Sequence, residues 1–332
     1  MSNDIHIIAE AGTTHEGDVE TALKLVDAAR GAGADSVKFQ FIDPAQLYLT
    51  KLRENGALVD NPVIRAREAQ MLTDAEWQRV AQHAAAAGIR FSSSIFDQGR
   101  LKFLLGLNPP YVKIASTDTN NEGLIEAAAA AGTRILLSTG MSGLGEIEHA
   151  VETLQRKGAK DFVLFHCVSV YPCPTEMANV SFVATLKQAF GCEVGFSDHT
   201  ESSVAAVAAL ALGATWFEKH MTLDRTAKGF DHAYAMEPAG LASYVSDLRQ
   251  AKAALTPRVP KMGPEEASVR QRARRSLWAA RDLPAGHVLT PADVLVVRPA
   301  GPLTPADLPL VLGQTLSRPV GASEAIRFQD LA

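Results

Sequence analysis

The chain is short of cysteine, of net charge and of long apolar runs, and each shortage excludes a class of protein. Its 332 residues include three cysteines, Cys167, Cys173 and Cys192, with no C-x-x-C pair. An odd count offers no disulfide framework, so we expect reduced thiols and a cytoplasmic location. The net charge is −5. A chain this mildly acidic is expected to bind neither nucleic acid nor anionic membranes through general electrostatic attraction.

Targeting and membrane-spanning segments are also missing. The segment Met1–Ile8 has no basic stretch followed by an apolar run, so we expect no signal peptide. The most apolar region, Ser203–Phe217, is too short to cross a bilayer. Hydrophobic residues make up 47% of the chain and charged residues 21%, which is typical of a folded globular protein.

One sequence pattern recurs along the chain: an alanine-rich amphipathic stretch ends in Gly, and a short apolar run follows. The glycine suits the left-handed residue that closes a helix, and apolar runs without strict alternation are typical of parallel strands covered on both faces. Eight strands are predicted, at His6–Ala11, Ala34–Phe41, Gly88–Ile95, Tyr111–Ser116, Gly132–Thr139, Gly158–Cys167, Glu193–His199 and Gly213–Met221.

A helix is predicted after each strand, and eight βα units in about 250 residues indicate a (β/α)8 TIM barrel, an α/β fold. The predicted helices are Val19–Arg30, Thr73–Ala87, Gly99–Leu105, Asn121–Ala131, Gly145–Lys157, Ser181–Phe190, Ser203–Leu212 and Ala239–Leu255. A doubly wound open sheet is the alternative, weakened because no G-x-G-x-x-G follows the first strand.

The composition of the sequence changes after about residue 257, where proline becomes frequent and the apolar runs shorten. We therefore predict a catalytic barrel over 1–257, a polar linker over 258–275 and a small, mostly β domain over 276–332. Two long segments at the carboxyl ends of strands, Ile42–Leu72 and Asp224–Pro238, are expected to carry function, as such loops usually do.

Buried cations are predicted at the carboxyl ends of the strands, where active sites of such barrels lie. Lys38 and Lys113 stand in apolar strand context and must be paired or bound to an anion. With serines of other strands they form a ring of donors suited to a phosphate or carboxylate, namely Ser94, Ser116, Ser138 and Ser197. Two alternatives are open: each lysine pairs with a glutamate of a neighbouring strand, or one lysine forms a Schiff base.

Two histidines predict a metal site. His199 ends the seventh strand and His220 the eighth. Adjacent strands lie about 4.8 Å apart, so two inward imidazoles at matching height can share one ion. Two protein ligands leave positions open for substrate, and imidazole with oxygen ligands suits Mn²⁺, with Zn²⁺ or Fe²⁺ as alternatives.

Around these residues the chain resembles the sialic acid synthases, which include N-acetylneuraminate, legionaminate and pseudaminate synthases. The matching stretches are IIAEAGTTHEGD, GADSVKFQ, YVKIAS, ILLSTGM, LFHC with YPCPTE, VGFSDHT, FEKHMTLD and GFDHAYAMEP. The tail RRSLWAARDLPAGHVLTPADVLVVRPAG resembles the antifreeze-like domain that ends these enzymes. The resemblance implies metal-dependent condensation of phosphoenolpyruvate with an N-acylated amino sugar, such as N-acetylmannosamine, to a nine-carbon 2-keto acid and phosphate.

The resemblance also implies a role for each site residue. Phosphoenolpyruvate would be held by Lys38, Ser94, Lys113, Ser116, Ser138 and Ser197, and the metal by His199 and His220. The metal would be Mn²⁺, with Mg²⁺ or Co²⁺ as alternatives. Glu10, Asp118 and Glu218 would be catalytic. The open-chain sugar would be contacted by Glu10, Gln40, Tyr171, Asp231 and Arg298. Arg298 would reach the acyl group from the partner subunit's tail, which implies a domain-swapped homodimer.

Three departures from the family pattern fall on the acceptor side of the predicted site. Asp118 stands where the family usually has Glu, Ser169 where many members have Asn, and KFQF replaces KFQ-Thr or KFQ-Lys. Two other functions remain as alternatives. One is a Schiff-base aldolase that uses free pyruvate, and the other is a catalytically inactive relative that binds carbohydrate.

Overall fold

Eight parallel strands close into a barrel in the computed structural model, which describes residues 5–257 and 261–332. The eight barrel strands are β1 (His6–Gly12), β2 (Ser36–Phe41), β5 (Arg90–Ile95), β6 (Val112–Ile114), β7 (Ile135–Ser138), β8 (Phe162–His166), β9 (Glu193–Asp198) and β10 (Trp216–His220). Two further strands, β3 (Lys51–Glu54) and β4 (Ala57–Asp60), lie outside the barrel sheet. The barrel order is β1-β10-β9-β8-β7-β6-β5-β2. The predicted TIM barrel is therefore confirmed, and all eight predicted strands belong to it.

Helices surround the barrel, as the recurring sequence pattern of an amphipathic stretch, Gly and an apolar run predicts. They are α1 (Val19–Gly31), α2 (Pro44–Leu47), α3 (Pro62–Glu68), α4 (Asp74–Ala87), α5 (Gln98–Gly106), α6 (Glu122–Ala130), α7 (Leu144–Arg156), α8 (Phe182–Phe190), α9 (Val204–Ala211) and α10 (Pro238–Leu255). Gly88, at the end of α4, has φ +73°, the left-handed conformation that glycine adopts at no steric cost. Among the described residues, no helix is long and apolar enough to cross a membrane.

Two apolar clusters account for the burial of the barrel. The larger lies between the strands and the surrounding helices and includes Leu25, Val80 and Leu154. The smaller includes Ile8, Tyr111, Leu136, Phe165 and Trp216. Inward side chains that pack in this way make the inside of a TIM barrel a solid core, so only its carboxyl end is free to hold a site.

The segment after β2 holds more structure than the sequence analysis predicts. The strands β3 and β4 form a two-stranded antiparallel hairpin, flanked by the short helices α2 and α3. The hairpin turns at Asn55 and Gly56, whose φ angles are +47° and +84°. Asn-Gly is a strong signal for a two-residue hairpin turn because both residues tolerate positive φ. That dipeptide could have revealed the hairpin.

The second unit, Thr256–Ala332, has a core of its own. It contains α11 (Pro264–Ala273), β11 (Ser276–Ala279), β12 (Val294–Val297) and α12 (Leu308–Val311), with β11 and β12 antiparallel. Leu277, Val311 and Ile326 are fully buried in this core. Of the predicted linker 258–275, residues 258–260 lie outside the described residues, and α11 occupies much of the rest with none of its residues buried.

Candidate active site

A cavity of about 270 Å³ lies at the carboxyl end of the barrel strands. Twelve predicted site residues line it: Glu10, Lys38, Gln40, Ser94, Lys113, Ser116, Ser138, Tyr171, Ser197, His199, Glu218 and His220. Strand register places Glu10 beside His220 on β10 and beside Lys38 on β2. The barrel therefore collects side chains from distant parts of the sequence into one site.

Four charged side chains form a buried cluster in this cavity: Lys38, Lys113, Glu10 and Glu218. Lys38 Nζ lies 2.5 Å from Glu10 Oε2 and 3.5 Å from Glu218 Oε2. Lys113 Nζ lies 3.0 Å from both Glu218 carboxylate oxygens. All four residues are buried. With every group ionised, the two positive and two negative charges cancel.

The pairing sets the protonation of the cluster. Burial favours the neutral form of Lys38, but the charges of Glu10 and Glu218 raise the pKa of its ammonium above the ordinary value. Burial also favours neutral Glu218, yet Lys113 and Lys38 hold the pKa of that carboxyl well below its usual range. Burial raises the pKa of Glu10, against the opposing charge of Lys38. Glu10 is therefore the carboxylate of the cluster that gains a proton more readily.

The structure combines two of the interpretations left open by the sequence. Lys38 does pair with a glutamate of the neighbouring strand, Glu10. Lys113 instead pairs with Glu218 on β10, which is not adjacent to β6 in the barrel. Both cations still face the cavity and the serine hydroxyls, since Lys38 Nζ also donates to Ser94 Oγ at 2.8 Å. A Schiff base needs a neutral amine, and the charge pairing of Lys38 opposes one.

The histidine pair fits a divalent metal ion. The ring centroids of His199 and His220 are 5.6 Å apart. His199 Nδ1 lies 2.7 Å from the Val168 carbonyl, which can only accept, so Nδ1 carries the proton and Nε2 keeps its lone pair. Burial lowers the pKa of His199 to about 3, so the ring is neutral. His220 Nδ1 is buried without a hydrogen-bond partner among the described residues.

Among the described residues, the two imidazoles are the protein ligands predicted for such an ion. Across 5–257 and 261–332, no group of three or more His, Cys, Asp or Glu side chains could hold a metal ion. Further ligands would have to come from substrate or water, as they do in catalytic metal sites.

The predicted sugar-contact residues border the other side of the cavity. Gln40 Nε2 donates to Glu10 Oε1 at 2.8 Å, and the Tyr171 ring lies 4.1 Å from that of His199. Asp231 does not line the cavity itself, but it stands next to these residues. A Cβ atom at Gly12 would lie 2.7 Å from Asp231 Oδ2, 3.5 Å from Gln40 Nε2 and 3.6 Å from Glu10 Oε1. The glycine leaves open the space on which the three polar groups converge.

Asp231 is held in place by its neighbours. Tyr234 donates its hydroxyl to Asp231 Oδ1 at 2.5 Å, and the Thr13 hydroxyl and amide approach Oδ2 at 3.4 and 3.5 Å. Burial favours the neutral acid, but the charge of His220 and the Tyr234 hydrogen bond bring the pKa of Asp231 below its ordinary value. Asp231 is therefore an ionised acceptor of hydrogen bonds.

The cavity lining does not include Asp118 of the barrel unit, and the predicted Arg298 belongs to the second unit. The Asp118 carboxylate accepts hydrogen bonds from Thr117 Oγ1 at 3.0 Å and Asn121 Nδ2 at 2.9 Å, and it does not line the cavity. These hydrogen bonds of Asp118 stabilise the turn before α6. Arg298 is exposed just after β12 in the second unit.

Sequence reasoning did not assign a role to several groups that the fold brings to the site. The cavity is also lined by Ala115, Thr117, Met141, Cys167 and Ser169. Cys167 and Ser169 follow β8 directly, so their place after a strand was the signal available. Burial raises the pKa of the Cys167 thiol, which keeps it protonated beside Ser116. Thr13, which holds Asp231, belongs to the loop after β1.

Models of known protein families match both the barrel and the tail of the chain. The NeuB family model matches residues 25–259, and the SAF domain model matches residues 274–332. The chain therefore belongs to the NeuB family. The match to the SAF domain, together with the core of the second unit, confirms a small tail domain after the barrel.

Named relatives extend the match over nearly the whole chain. The N,N'-diacetyllegionaminic acid synthase of Campylobacter jejuni is 34% identical over 97% of this chain and 98% of its own. The N-acetylneuraminate-9-phosphate synthase of Drosophila melanogaster is 30% identical over 98% and 95%. The crystal structure of N-acetylneuraminic acid synthetase from Leptospira borgpetersenii is 33% identical, with a TM-score of 0.71 over 80% of this chain and 91% of that one. The chain is an enzyme of this synthase class.

The buried charge cluster makes a prediction about stability. Replacing Lys113 by Met should leave Glu218 with one cation, Lys38 at 3.5 Å, and cost about 3–5 kcal/mol of unfolding free energy. Adding Glu218→Gln should recover part of that loss, because the unpaired carboxylate is then gone. Urea denaturation of both single variants and the double variant gives the coupling. Additive losses would contradict the pairing, as would a Lys113→Met protein as stable as the wild type.

Proposed function

We propose that the protein condenses phosphoenolpyruvate with an N-acylated amino sugar to give a nine-carbon 2-keto acid and phosphate, with a divalent metal ion bound. The observation that carries the proposal is one cavity at the barrel's carboxyl end that joins two buried lysines, two glutamates and two histidines. The names of the relatives, which are synthases of acids of this type, support the same reaction.

Phosphoenolpyruvate would occupy the lysine and serine side of the cavity. Lys38 and Lys113 offer fixed cations to its phosphate and carboxylate, and the surrounding serine hydroxyls offer hydrogen-bond donors. The enol carbon forms the new bond to the aldehyde carbon of the acceptor. Water adds at the neighbouring carbon, and the bond between that carbon and the phosphate oxygen then breaks. Phosphate leaves and the 2-keto group forms.

The acceptor would lie between Glu10, Gln40 and Asp231, in the space that Gly12 leaves open. Glu10 stands between the acceptor side and Lys38, and the pKa of its carboxyl, raised by burial, suits a group that exchanges a proton during the reaction. Asp118 is not part of the described cavity, so Glu10 and Glu218 are the carboxylates within reach of the reacting atoms.

His199 and His220 would hold the metal, Mn²⁺ by our prediction. Such an ion, when bound, supplies Lewis-acid polarisation of a carbonyl oxygen and compensates negative charge. The protein's own part is to keep His199 neutral and oriented by the Val168 carbonyl, and to leave room for an aldehyde beside Glu10.

The alternative as a Schiff-base aldolase is not favoured. Both lysines are held in ion pairs with carboxylates, and the histidine pair would have no task in such a reaction. Treatment with borohydride in the presence of pyruvate would trap a Schiff base and leave a covalent adduct on one of the two lysines.

Phosphate release tests the proposal. Phosphoenolpyruvate and N-acyl hexosamines are supplied in turn, released phosphate is measured, and the product is identified by mass spectrometry. Release should require an acceptor and a divalent ion, so a chelator should abolish it and Mn²⁺ should restore it. His220→Ala should lose more than about 100-fold in rate, since it removes one of two protein ligands to the metal. His149→Ala, on the exposed face of α7, is the control and should keep full activity.

Full activity in metal-stripped protein would overturn the metal assignment. Acceptor-independent release, or a borohydride-trapped pyruvate adduct, would overturn the condensation itself.

The tail domain would complete the site of a partner subunit in a domain-swapped homodimer. Arg298 is exposed at the end of β12, next to Pro299, and its guanidinium is a planar donor of long reach. A polar connection before a small domain can allow docking on a neighbouring subunit.

Complementation tests the swapped dimer. Arg298→Ala and His199→Ala subunits should each be inactive alone. Mixed after subunit exchange, they should form dimers in which one site carries neither lesion, and activity should return to about a quarter of the wild-type level if the subunits pair at random. If subunit exchange is proven and activity does not return, each tail acts on the barrel of its own subunit.

A further inference from the structure

Asp198 and Lys219 form a buried ion pair directly behind the histidine pair. Asp198 is the residue before His199, and Lys219 is the residue before His220. The two are register partners on β9 and β10, and Lys219 Nζ lies 3.4 Å from Asp198 Oδ2. Successive side chains of a strand point to opposite faces. The histidines therefore line the cavity, whereas the ion pair lies on the other face of the barrel wall and is not among the residues that line the cavity.

The ion pair holds the turn that carries His199. Asp198 Oδ1 accepts hydrogen bonds from the Thr200 amide and from the Thr200 hydroxyl, both at 2.8 Å. The Lys219 ammonium donates to the Thr200 carbonyl. The residues on either side of His199 are thus bonded to each other and, through Lys219, to the residue before His220.

The pair is also enclosed by the surrounding helices. The ring of Tyr244, on α10, lies 5.4 Å from Lys219 Nζ, and all three residues of this contact, Asp198, Lys219 and Tyr244, are buried. Protein interiors are close-packed, so a side chain in such a place has little freedom to move. The positions of β9 and β10 relative to each other are therefore fixed at the level of the histidines.

The two imidazoles differ in how much support they have of their own. His199 Nδ1 lies 2.7 Å from the Val168 carbonyl, and the His199 carbonyl accepts from the Cys173 amide at 2.8 Å. His220 Nδ1 has no such partner among the described residues. The place of the His220 ring therefore depends more on the backbone of β10, and Lys219 bonds that backbone to the turn of His199.

Stability alone does not account for an ion pair in this position. Well-packed apolar residues of similar volume are often as stable as a buried ion pair, or more so. Binding of one ion by two imidazoles, by contrast, requires a fixed distance between them. Residues that orient metal ligands from behind commonly change metal affinity by about 10- to 100-fold when they are replaced.

We propose that Asp198 and Lys219 are positioning residues of the metal site, whose ion pair fixes the spacing of His199 and His220 so that both imidazoles bind one divalent ion. This inference rests on the proposed function, which assigns the ion to these histidines. It adds two residues that act through the histidines from outside the cavity.

Binding of Mn²⁺ alone tests the inference, with the free ion measured by electron paramagnetic resonance and no substrate present. Lys219→Met should weaken Mn²⁺ binding by about 10- to 100-fold. Adding Asp198→Asn removes the carboxylate left without its cation, so the double variant should recover part of the lost stability in urea. It should not recover Mn²⁺ affinity, because the bond from Lys219 to Thr200 is still missing.

Arg249→Met is the matched control. Arg249 pairs with Asp35 at 2.6 Å and donates to the Ile5 carbonyl at 2.9 Å. Those two residues precede β2 and β1, at the amino end of the barrel, whereas the histidines stand at the carboxyl end. This variant should lose stability and keep Mn²⁺ affinity within about twofold.

Three outcomes would overturn the inference: wild-type Mn²⁺ affinity in Lys219→Met, recovery of affinity together with stability in the double variant, or an equal loss of affinity in Arg249→Met. If Lys219→Met does not fold, the double variant decides by the same comparison with Arg249→Met. A wild-type protein that binds no Mn²⁺ would overturn the metal assignment of the proposed function and the inference with it. Normal binding by the wild type and by the Lys219 variants would overturn the inference alone.

Discussion

Four buried charges at the mouth of the barrel constrain the rest of the site. Two lysines and two glutamates lie within ion-pair distance of one another, and with all four ionised their charges cancel. Moving an ion pair into a low-dielectric interior costs free energy that packing elsewhere must supply, and stability alone does not require it. The arrangement makes sense for a substrate that brings its own negative charge, because the lysines are already placed and desolvated when it arrives.

The barrel provides this arrangement through strand register. Glu10 is level with Lys38 on one side and with His220 on the other, so acid, cation and predicted metal ligand stand in one layer. Glu218, two residues before His220, reaches the interior and pairs with Lys113 from across the barrel. Glu218 and His220, on alternate positions of β10, thus reach the lysine pair and the histidine pair of the cavity. Residues of the loops after β1, β2 and β10 contact one another around Asp231, as Thr13, Arg67 and Phe230 show.

The strands and eleven of the twelve predicted residues that line the cavity could be predicted from local pattern, whereas Tyr171 was assigned only through the resemblance to the sialic acid synthases. Apolar runs bounded by glycine mark buried parallel strands, and Lys38 or His220 stands out as a polar residue inside such a run. Asp118 received its catalytic role through the resemblance alone, and in the structure its carboxylate accepts from Asn121 at the start of the following helix. Arg67 lies in a segment without a strand end to mark it, and its contacts with Phe230 and Thr13 arise only in the fold.

The central claim is that the neutral cluster receives phosphoenolpyruvate together with a divalent cation at the histidine pair. Titration calorimetry of phosphoenolpyruvate into metal-free and Mn²⁺-loaded protein, with no acceptor present, tests it most directly. The account predicts that Mn²⁺ tightens phosphoenolpyruvate binding by about tenfold or more, and that phosphoenolpyruvate tightens Mn²⁺ binding by the same factor, since linkage is reciprocal. Equal affinity for phosphoenolpyruvate with and without the ion would contradict the account.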